Sequence, residues 1–116
     1  MALTPPSEKQ PKPGLNIYGG VAVNPYKLTI YAEELGIPYN YITLDFVANE
    51  PHAEWYTAMN TNGKMPSIVH MKEDVTVTVF ESAACLLYMA HEFDKEYLYS
   101  APHGLPDYWK ELSWLQ

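Results

Sequence analysis

Two short segments carry residue types that suit the two ends of a small zwitterionic ligand. Glu81-Ser82-Ala83-Ala84 places a carboxylate and a hydroxyl at the start of an apolar helix. A helix N-terminus offers unpaired amides and partial positive charge, which with the Ser82 hydroxyl suits a ligand carboxylate, while Glu81 beside it suits an ammonium. An α-amino-acid end needs both signs side by side. On these two residues alone, plain N-capping by Ser82, with Glu81 a solvated charge, is the simpler account. The second segment, Lys64-Met65-Pro66-Ser67-Ile68-Val69, puts a proline before a short apolar strand, fifteen residues upstream of Glu81. A cis Met65-Pro66 bond turns the Met65 N–H and C=O outward, where an extended peptide pairs with them as an added strand. The alternative is a trans proline opening an edge strand.

Composition narrows the partners. The chain has 116 residues, 47% of them hydrophobic, which suits one compact domain. The formal net charge is −7 and the seven basic residues are scattered lysines with no arginine among them. Nucleic acid and anionic membrane are therefore not expected as partners, since both need clustered basic residues. An anion must be held by lysine, helix amides or hydroxyls rather than by a guanidinium fork. The single cysteine, Cys85, leaves no internal disulfide or CxxC pair and fits a reducing, cytoplasmic compartment. Its position on an apolar helical run favours burial over reactivity. His52, His70, His91 and His103 have no ligand spacing, so no metal site is expected. No apolar run reaches the ~20 residues of a membrane helix.

The elements that must position these segments follow from periodicity. Residues 1–14, rich in proline and polar residues, read as a flexible leader. Leu15–Tyr18 reads as a strand closed at Gly19-Gly20. Asn24-Pro25 reads as the N-cap and first residue of a helix carrying Leu28, Tyr31, Ala32 and Leu35 and stopped at Gly36. Tyr39–Asp45 is a second strand, which makes a parallel βαβ unit. A short helix over His52–Met59 and a turn at Asn60-Thr61-Asn62-Gly63 come next. Ser67–His70 and Val75–Phe80 form an antiparallel hairpin around Glu73-Asp74. Ser82–Phe93 is a helix with Leu86, Ala90 and Phe93 inward. The order β-α-β-α-β-β-α is a thioredoxin-like α/β arrangement with a mixed four-stranded sheet. Residues 15–94 form this domain, 95–106 a linker, and 107–116, with Asp107 as cap, the start of a truncated helical C-terminal domain.

In this order the chain resembles the N-terminal domain of cytosolic glutathione S-transferases. The resemblance rests on Asn24-Pro25-Tyr26-Lys27, Glu33-Glu34-Leu35-Gly36-Ile37-Pro38-Tyr39, Asn60-Thr61-Asn62-Gly63-Lys64-Met65-Pro66 and Glu81-Ser82-Ala83-Ala84 taken together. The spacing is most similar to fungal transferases related to the yeast nitrogen-regulation prion protein, and to those of fungal secondary-metabolite clusters. The resemblance implies glutathione as co-substrate, a hydrophobic electrophilic small molecule as acceptor, and a homodimer. It implies that Glu81 and Ser82 hold the γ-glutamyl group and that Met65, preceding Pro66, pairs with the cysteinyl part. Lys64 and His52 then serve the glycyl carboxylate, and Asn24 lies near the sulfur.

One departure bears on activity. Transferases of this kind place Tyr, Ser or Cys beside the sulfur, after the first strand. Here the stretch is Gly19-Gly20-Val21-Ala22-Val23, with Ala22 at the usual Ser or Cys position. A mixed-disulfide mechanism is not expected. The remaining readings are conjugation with Asn24 as the sulfur-stabilising residue, a non-catalytic glutathione-binding or regulatory module, and a biosynthetic lyase, isomerase or cyclase reusing the fold.

Overall fold

The computed structural model describes residues 4–115; residues 1–3 of the expected leader and residue 116 of the expected C-terminal segment lie outside the described residues. The elements are β1 (Gly14–Gly19), α1 (Val23–Leu35), β2 (Asn40–Thr43), α2 (Glu54–Thr57), β3 (Ser67–Met71), β4 (Thr76–Phe80), α3 (Ser82–Phe93) and α4 (Pro106–Leu115). The sheet runs in the order β2-β1-β3-β4, parallel between β1 and β2 and antiparallel in the other two pairs. The thioredoxin-like α/β class expected from the element order is the one observed.

Central strands are buried on both faces, so β1 and β3 are covered from both sides. Leu15, Ile17 and Ile68 pack with Leu28, Ala32, Cys85 and Met89 beneath α1 and α3. On the opposite face Tyr18, Val69, Ile42 and Leu44 pack with Trp55 and Tyr56 around α2. Each fully buried aliphatic side chain contributes about 1.5–3 kcal/mol. A four-residue helix has no stability of its own, and Trp55 and Tyr56 hold α2 to the sheet.

Several boundaries move for local reasons. The N-cap of α1 is Ala22, so Asn24 and Pro25 are its second and third residues rather than its cap and first. The shift follows from a tight turn in which the Ala22 N–H bonds the Gly20 carbonyl, and from a buried Pro25 ring seated against β1. Pro25 is tolerated there because first-turn amides have no intrahelical acceptor. β2 ends at Thr43 because Asp45 Oδ1 accepts the Val47 and Ala48 amides at 2.9 and 3.2 Å, an Asx-type turn. The expected His52–Met59 helix divides into a 3-10 turn over Glu50–His52, with Pro51 in it, and α2, separated by extended Ala53.

On α3 the residues facing the sheet are Cys85 and Met89, not the expected row of Leu86, Ala90 and Phe93. Leu86 and Phe93 pack at the edge of that core, while Leu86, Leu87 and Ala90 line a groove toward α1 and α4. The helix therefore has two covered faces. Pro106 rather than Asp107 opens α4, in keeping with the preference for proline in a first turn.

Two buried polar residues organise the segments flanking the domain. Asn16, fully buried in β1, donates Nδ2 to the Lys12, Gly14 and Val69 carbonyls and accepts the Lys12 amide at Oδ1. With the Tyr18 hydroxyl on the Lys9 carbonyl at 2.7 Å and a Lys9–Glu50 ion pair at 3.3 Å, it ties the segment before β1 to the sheet. After α3, buried Asp94 accepts the Leu98 and Tyr99 amides and the Ser100 hydroxyl, at 2.7–2.8 Å, which folds the following stretch back on itself.

Candidate functional site

A cavity of about 200 Å³ opens where α1, the loop before β3 and the start of α3 meet, lined by Asn24, Asn60, Asn62, Lys64, Met65, Pro66, Glu81 and Ser82. Six of the seven residues singled out in the sequence thus share one site. The seventh, His52, is not in its lining. The His52 imidazole lies against Gly63, whose φ is +61° and where an added Cβ would stand 2.8 Å from His52 Nδ1. The positive φ and that contact favour glycine in the turn, and His52 packs against the turn rather than lining the cavity. Concavities of about 280 and 290 Å³ lie against α3 and α4, but none of the six residues lines them. The chemistry of the lining, not volume, selects the smaller one.

The Met65-Pro66 peptide bond is cis. Among the described residues neither the Met65 N–H nor its carbonyl has a hydrogen-bond partner. A donor and an acceptor on one residue, with unpaired lone pairs and proton beside a cavity, are what an extended peptide ligand uses. The Met65 side chain packs on the β1–α1 turn, where an added Cβ on Gly20 would stand 3.1 Å from Met65 Cε.

Across the cavity, Ser82 is the first residue of α3 and Glu81 its N-cap, without a side-chain cap bond. The Cys85 amide is the first to reach back, to the Glu81 carbonyl at 2.9 Å, so the preceding amides of the helix face outward. Glu81 has φ 77° and ψ 125°, close to backbone territory that is essentially glycine-only. A residue so held at a cavity mouth marks a place where geometry is maintained at a cost in stability. Asn62 Nδ2 donates to Glu81 Oε2 at 3.3 Å and steadies the carboxylate.

Asn24 is exposed in the first turn of α1, and its side chain bonds no other described residue. The capping role that would have explained it is absent. The nearby tyrosines do not replace it. Tyr18 is fully buried, its hydroxyl is committed to the Lys9 carbonyl, and burial followed by the neighbouring Tyr56 pushes its pKa up to about 12. Tyr41 donates to the Gly20 carbonyl at 2.6 Å, and burial raises its pKa. Cys85 is also withdrawn: it is fully buried, and burial pushes its thiol up to about 12.

In the sequence Asn60 and Asn62 read only as turn formers. The available signal was their place in an Asn-x-Asn-Gly turn directly before Lys64. Asn60 is 1% exposed, which a surface turn does not predict.

Residues 13–91 match the family described as glutathione S-transferase, N-terminal domain. The chain is similar to glutathione S-transferase 2 of Schizosaccharomyces pombe, 33% identical over 92 residues, covering 79% of this chain and 40% of the relative. The crystal structure of a glutathione transferase homolog from Lodderomyces elongisporus, with two GSH per subunit, superposes with a TM-score of 0.81 at 33% identity, covering 90% of this chain and 49% of that one. That of the glutathione transferase URE2P6 from Phanerochaete chrysosporium, in complex with oxidized glutathione, superposes with a TM-score of 0.83 at 35% identity, covering 89% and 47%. The chain thus spans less than half the length of each of these proteins.

Proposed function

The chain belongs to the glutathione S-transferase family through its N-terminal domain, and on that premise we propose that it binds glutathione and presents the thiolate to an electrophilic, apolar small molecule. The observation that carries this reading is one cavity holding three complementary groups. These are the Glu81 carboxylate, the amide-bearing start of α3, and the unpartnered backbone of Met65. The residues fit the ligand. Glu81 takes the γ-glutamyl ammonium, while Ser82 and the α3 amides take its carboxylate. The Met65 N–H and C=O pair with the cysteinyl segment, beside Pro66. Exposed Lys64 takes the glycyl carboxylate; the place of His52 behind Gly63 argues for an indirect role.

Asn24 is the residue assigned to the sulfur. A free thiol titrates near pH 8.5, so a few per cent is thiolate at pH 7. Lowering that value by about two units needs about 2.7 kcal/mol of preferential thiolate stabilisation. The Asn24 side-chain amide and the positive end of α1 are the groups in place to provide it. The uncommitted side chain of Asn24 supports this over a purely structural role.

A second reading, a glutathione-binding module without transfer activity, draws on a specific observation. The β1–α1 turn carries no Tyr, Ser or Cys between Gly19 and Val23. Retention on immobilised glutathione followed by turnover of an aryl halide separates the two: retention with turnover supports the enzyme, retention without turnover of any electrophile supports the module. Titration of bound glutathione in Asn24→Ala tests the residue, and an unchanged thiol pKa removes Asn24 from the mechanism.

The proposal extends to the organisation of the protein: residues 15–94 as the glutathione-binding domain, 95–106 as linker, and 107–116 as the beginning of a helical domain that forms most of the acceptor site. It also extends to a cytoplasmic homodimer acting in fungal secondary metabolism, which the resemblance in motif spacing supports.

A further inference from the structure

Behind the cavity, three buried side chains form a closed ring on the backbone of the loop before β3. Tyr56 of α2, Asn60 of the turn and Ser67 at the start of β3 are 0%, 1% and 0% exposed. The Tyr56 hydroxyl lies 2.6 Å from the Lys64 carbonyl and 2.7 Å from Ser67 Oγ. Asn60 Nδ2 lies 2.7 Å from the same carbonyl and 3.1 Å from the same Oγ. One proton assignment satisfies all four bonds. A carbonyl cannot donate, so the Tyr56 proton and one Asn60 proton go to Lys64 O. The second Asn60 proton goes to Ser67 Oγ, and the Ser67 proton goes to Tyr56 Oη. Asn60 Oδ1 then accepts the Asn62 amide at 3.0 Å, and the Asn62 side chain reaches Glu81 Oε2. Every donor in the ring is used, and of its three residues only Asn60 reaches the cavity lining. The ring offers a ligand no free donor, yet it holds the residue before Met65 on one side and, through Asn62, Glu81 on the other.

We propose that the Tyr56–Asn60–Ser67 ring is the positioning device of the site, keeping the Met65 backbone and the Glu81 carboxylate at the separation that one extended tripeptide spans. This rests on the glutathione-binding reading and adds that α2, which contributes nothing to the cavity lining, governs affinity. The reasoning is geometric. The Lys64 carbonyl accepts two bonds, one from α2 and one from the turn that precedes it. Removing one frees the loop to shift by a few tenths of an ångström, and the hydrogen bonds that a ligand makes to Met65 weaken steeply over that range. Buried rings of this kind lose more than one bond when a member is deleted.

The test compares two isosteric hydroxyl deletions. Tyr56→Phe removes a hydroxyl of the ring. Tyr18→Phe removes an equally buried hydroxyl, bonded to the Lys9 carbonyl, on the same face of the sheet but outside the site. Reduced glutathione is titrated calorimetrically into the wild-type chain and both variants, at a temperature where thermal melts show each fully folded. Tyr56→Phe is expected to raise Kd by about fivefold to tenfold, the scale of one net hydrogen bond. Tyr18→Phe is expected to lower Tm and leave Kd unchanged. Equal Kd in wild type and Tyr56→Phe, or equal weakening by both variants, overturns the positioning role. Absence of binding by the wild-type chain overturns the glutathione reading and this proposal with it. Should Tyr56→Phe not fold, Ser67→Ala removes the same link from β3 and is read by the same criteria.

Discussion

Glu81 sets stability against binding, and two substitutions separate the effects. Its backbone sits at φ 77° and ψ 125°, where a residue with a Cβ costs about 1–3 kcal/mol. Glycine adopts such angles without that cost but loses about 0.5–1 kcal/mol more backbone entropy on folding than alanine. Both Glu81→Gly and Glu81→Ala remove the carboxylate and its 3.3 Å bond from Asn62, so the difference between them isolates the backbone. Glu81→Gly is expected to be more stable than Glu81→Ala by about 0.5–2 kcal/mol, a rise in Tm of several degrees for a domain of this size. The two are expected to lose glutathione affinity equally. A hydrogen bond between charged groups is worth about 1.5–3 kcal/mol, so Kd rises by about one to two orders of magnitude. Thermal denaturation and calorimetric titration read the two quantities on the same samples. If the glycine variant is no more stable than the alanine variant, the backbone at this position is not strained and the argument fails. If either variant binds glutathione as the wild type does, Glu81 does not hold the ammonium.

Two further outcomes follow from the titratable groups. The chain is expected to lose stability on acidification in two stages, read from denaturant midpoints between pH 8 and pH 3. Burial, with Lys72 adding to it and Glu92 opposing it, lowers the pKa of His70 below its usual 6.5. The unfolded chain therefore takes up the proton first, and stability falls as pH drops below about 6.5. Glu92 is held low by its bond from Lys72 against the effect of burial, and Asp94 is held low by Ser100, Tyr99 and Leu98, which outweigh its desolvation. Their contributions are present above the ordinary carboxylate range and disappear as pH falls through the depressed values; a midpoint independent of pH down to 4 contradicts the His70 assignment. Cys85, fully buried with a thiol pushed up to about 12, is expected to react with an aromatic disulfide only at the rate of unfolding, so rapid labelling of the native chain at pH 8 contradicts its burial.

Much of the architecture was legible because it rests on local patterns. Alternation marks β1 and β4, and Gly36 ends α1 in the left-handed conformation. The spacing of strands and helices implied the parallel pair and the hairpin, and both are present. What periodicity misjudged was the facing of α3. A helix covered on two sides shows a broad apolar surface, and nothing local says which stripe meets the sheet. Asn24-Pro25 reads as a cap in isolation, yet the close packing of Pro25 on β1, where an added Cβ on Gly19 would stand 2.5 Å from Pro25 Cβ, draws the helix start back to Val23.

The candidate site divides in the same way. Lys64-Met65-Pro66 and Glu81-Ser82 were recognisable in the sequence because strand entry and helix entry each have a chemical signature carried by adjacent residues. The sequence alone also determined that no Tyr, Ser or Cys stands between Gly19 and Val23, which bounds the mechanism whatever the fold. The resemblance put Asn24 near the sulfur, but only the tertiary structure left its side chain uncommitted at that cavity. Only the tertiary structure turned Asn60 inward to close a ring with Tyr56 and Ser67. The reason is physical: a capping or turn signature is satisfied within a few residues, whereas a buried amide is satisfied by whichever partners packing brings to it, and those lie on other elements.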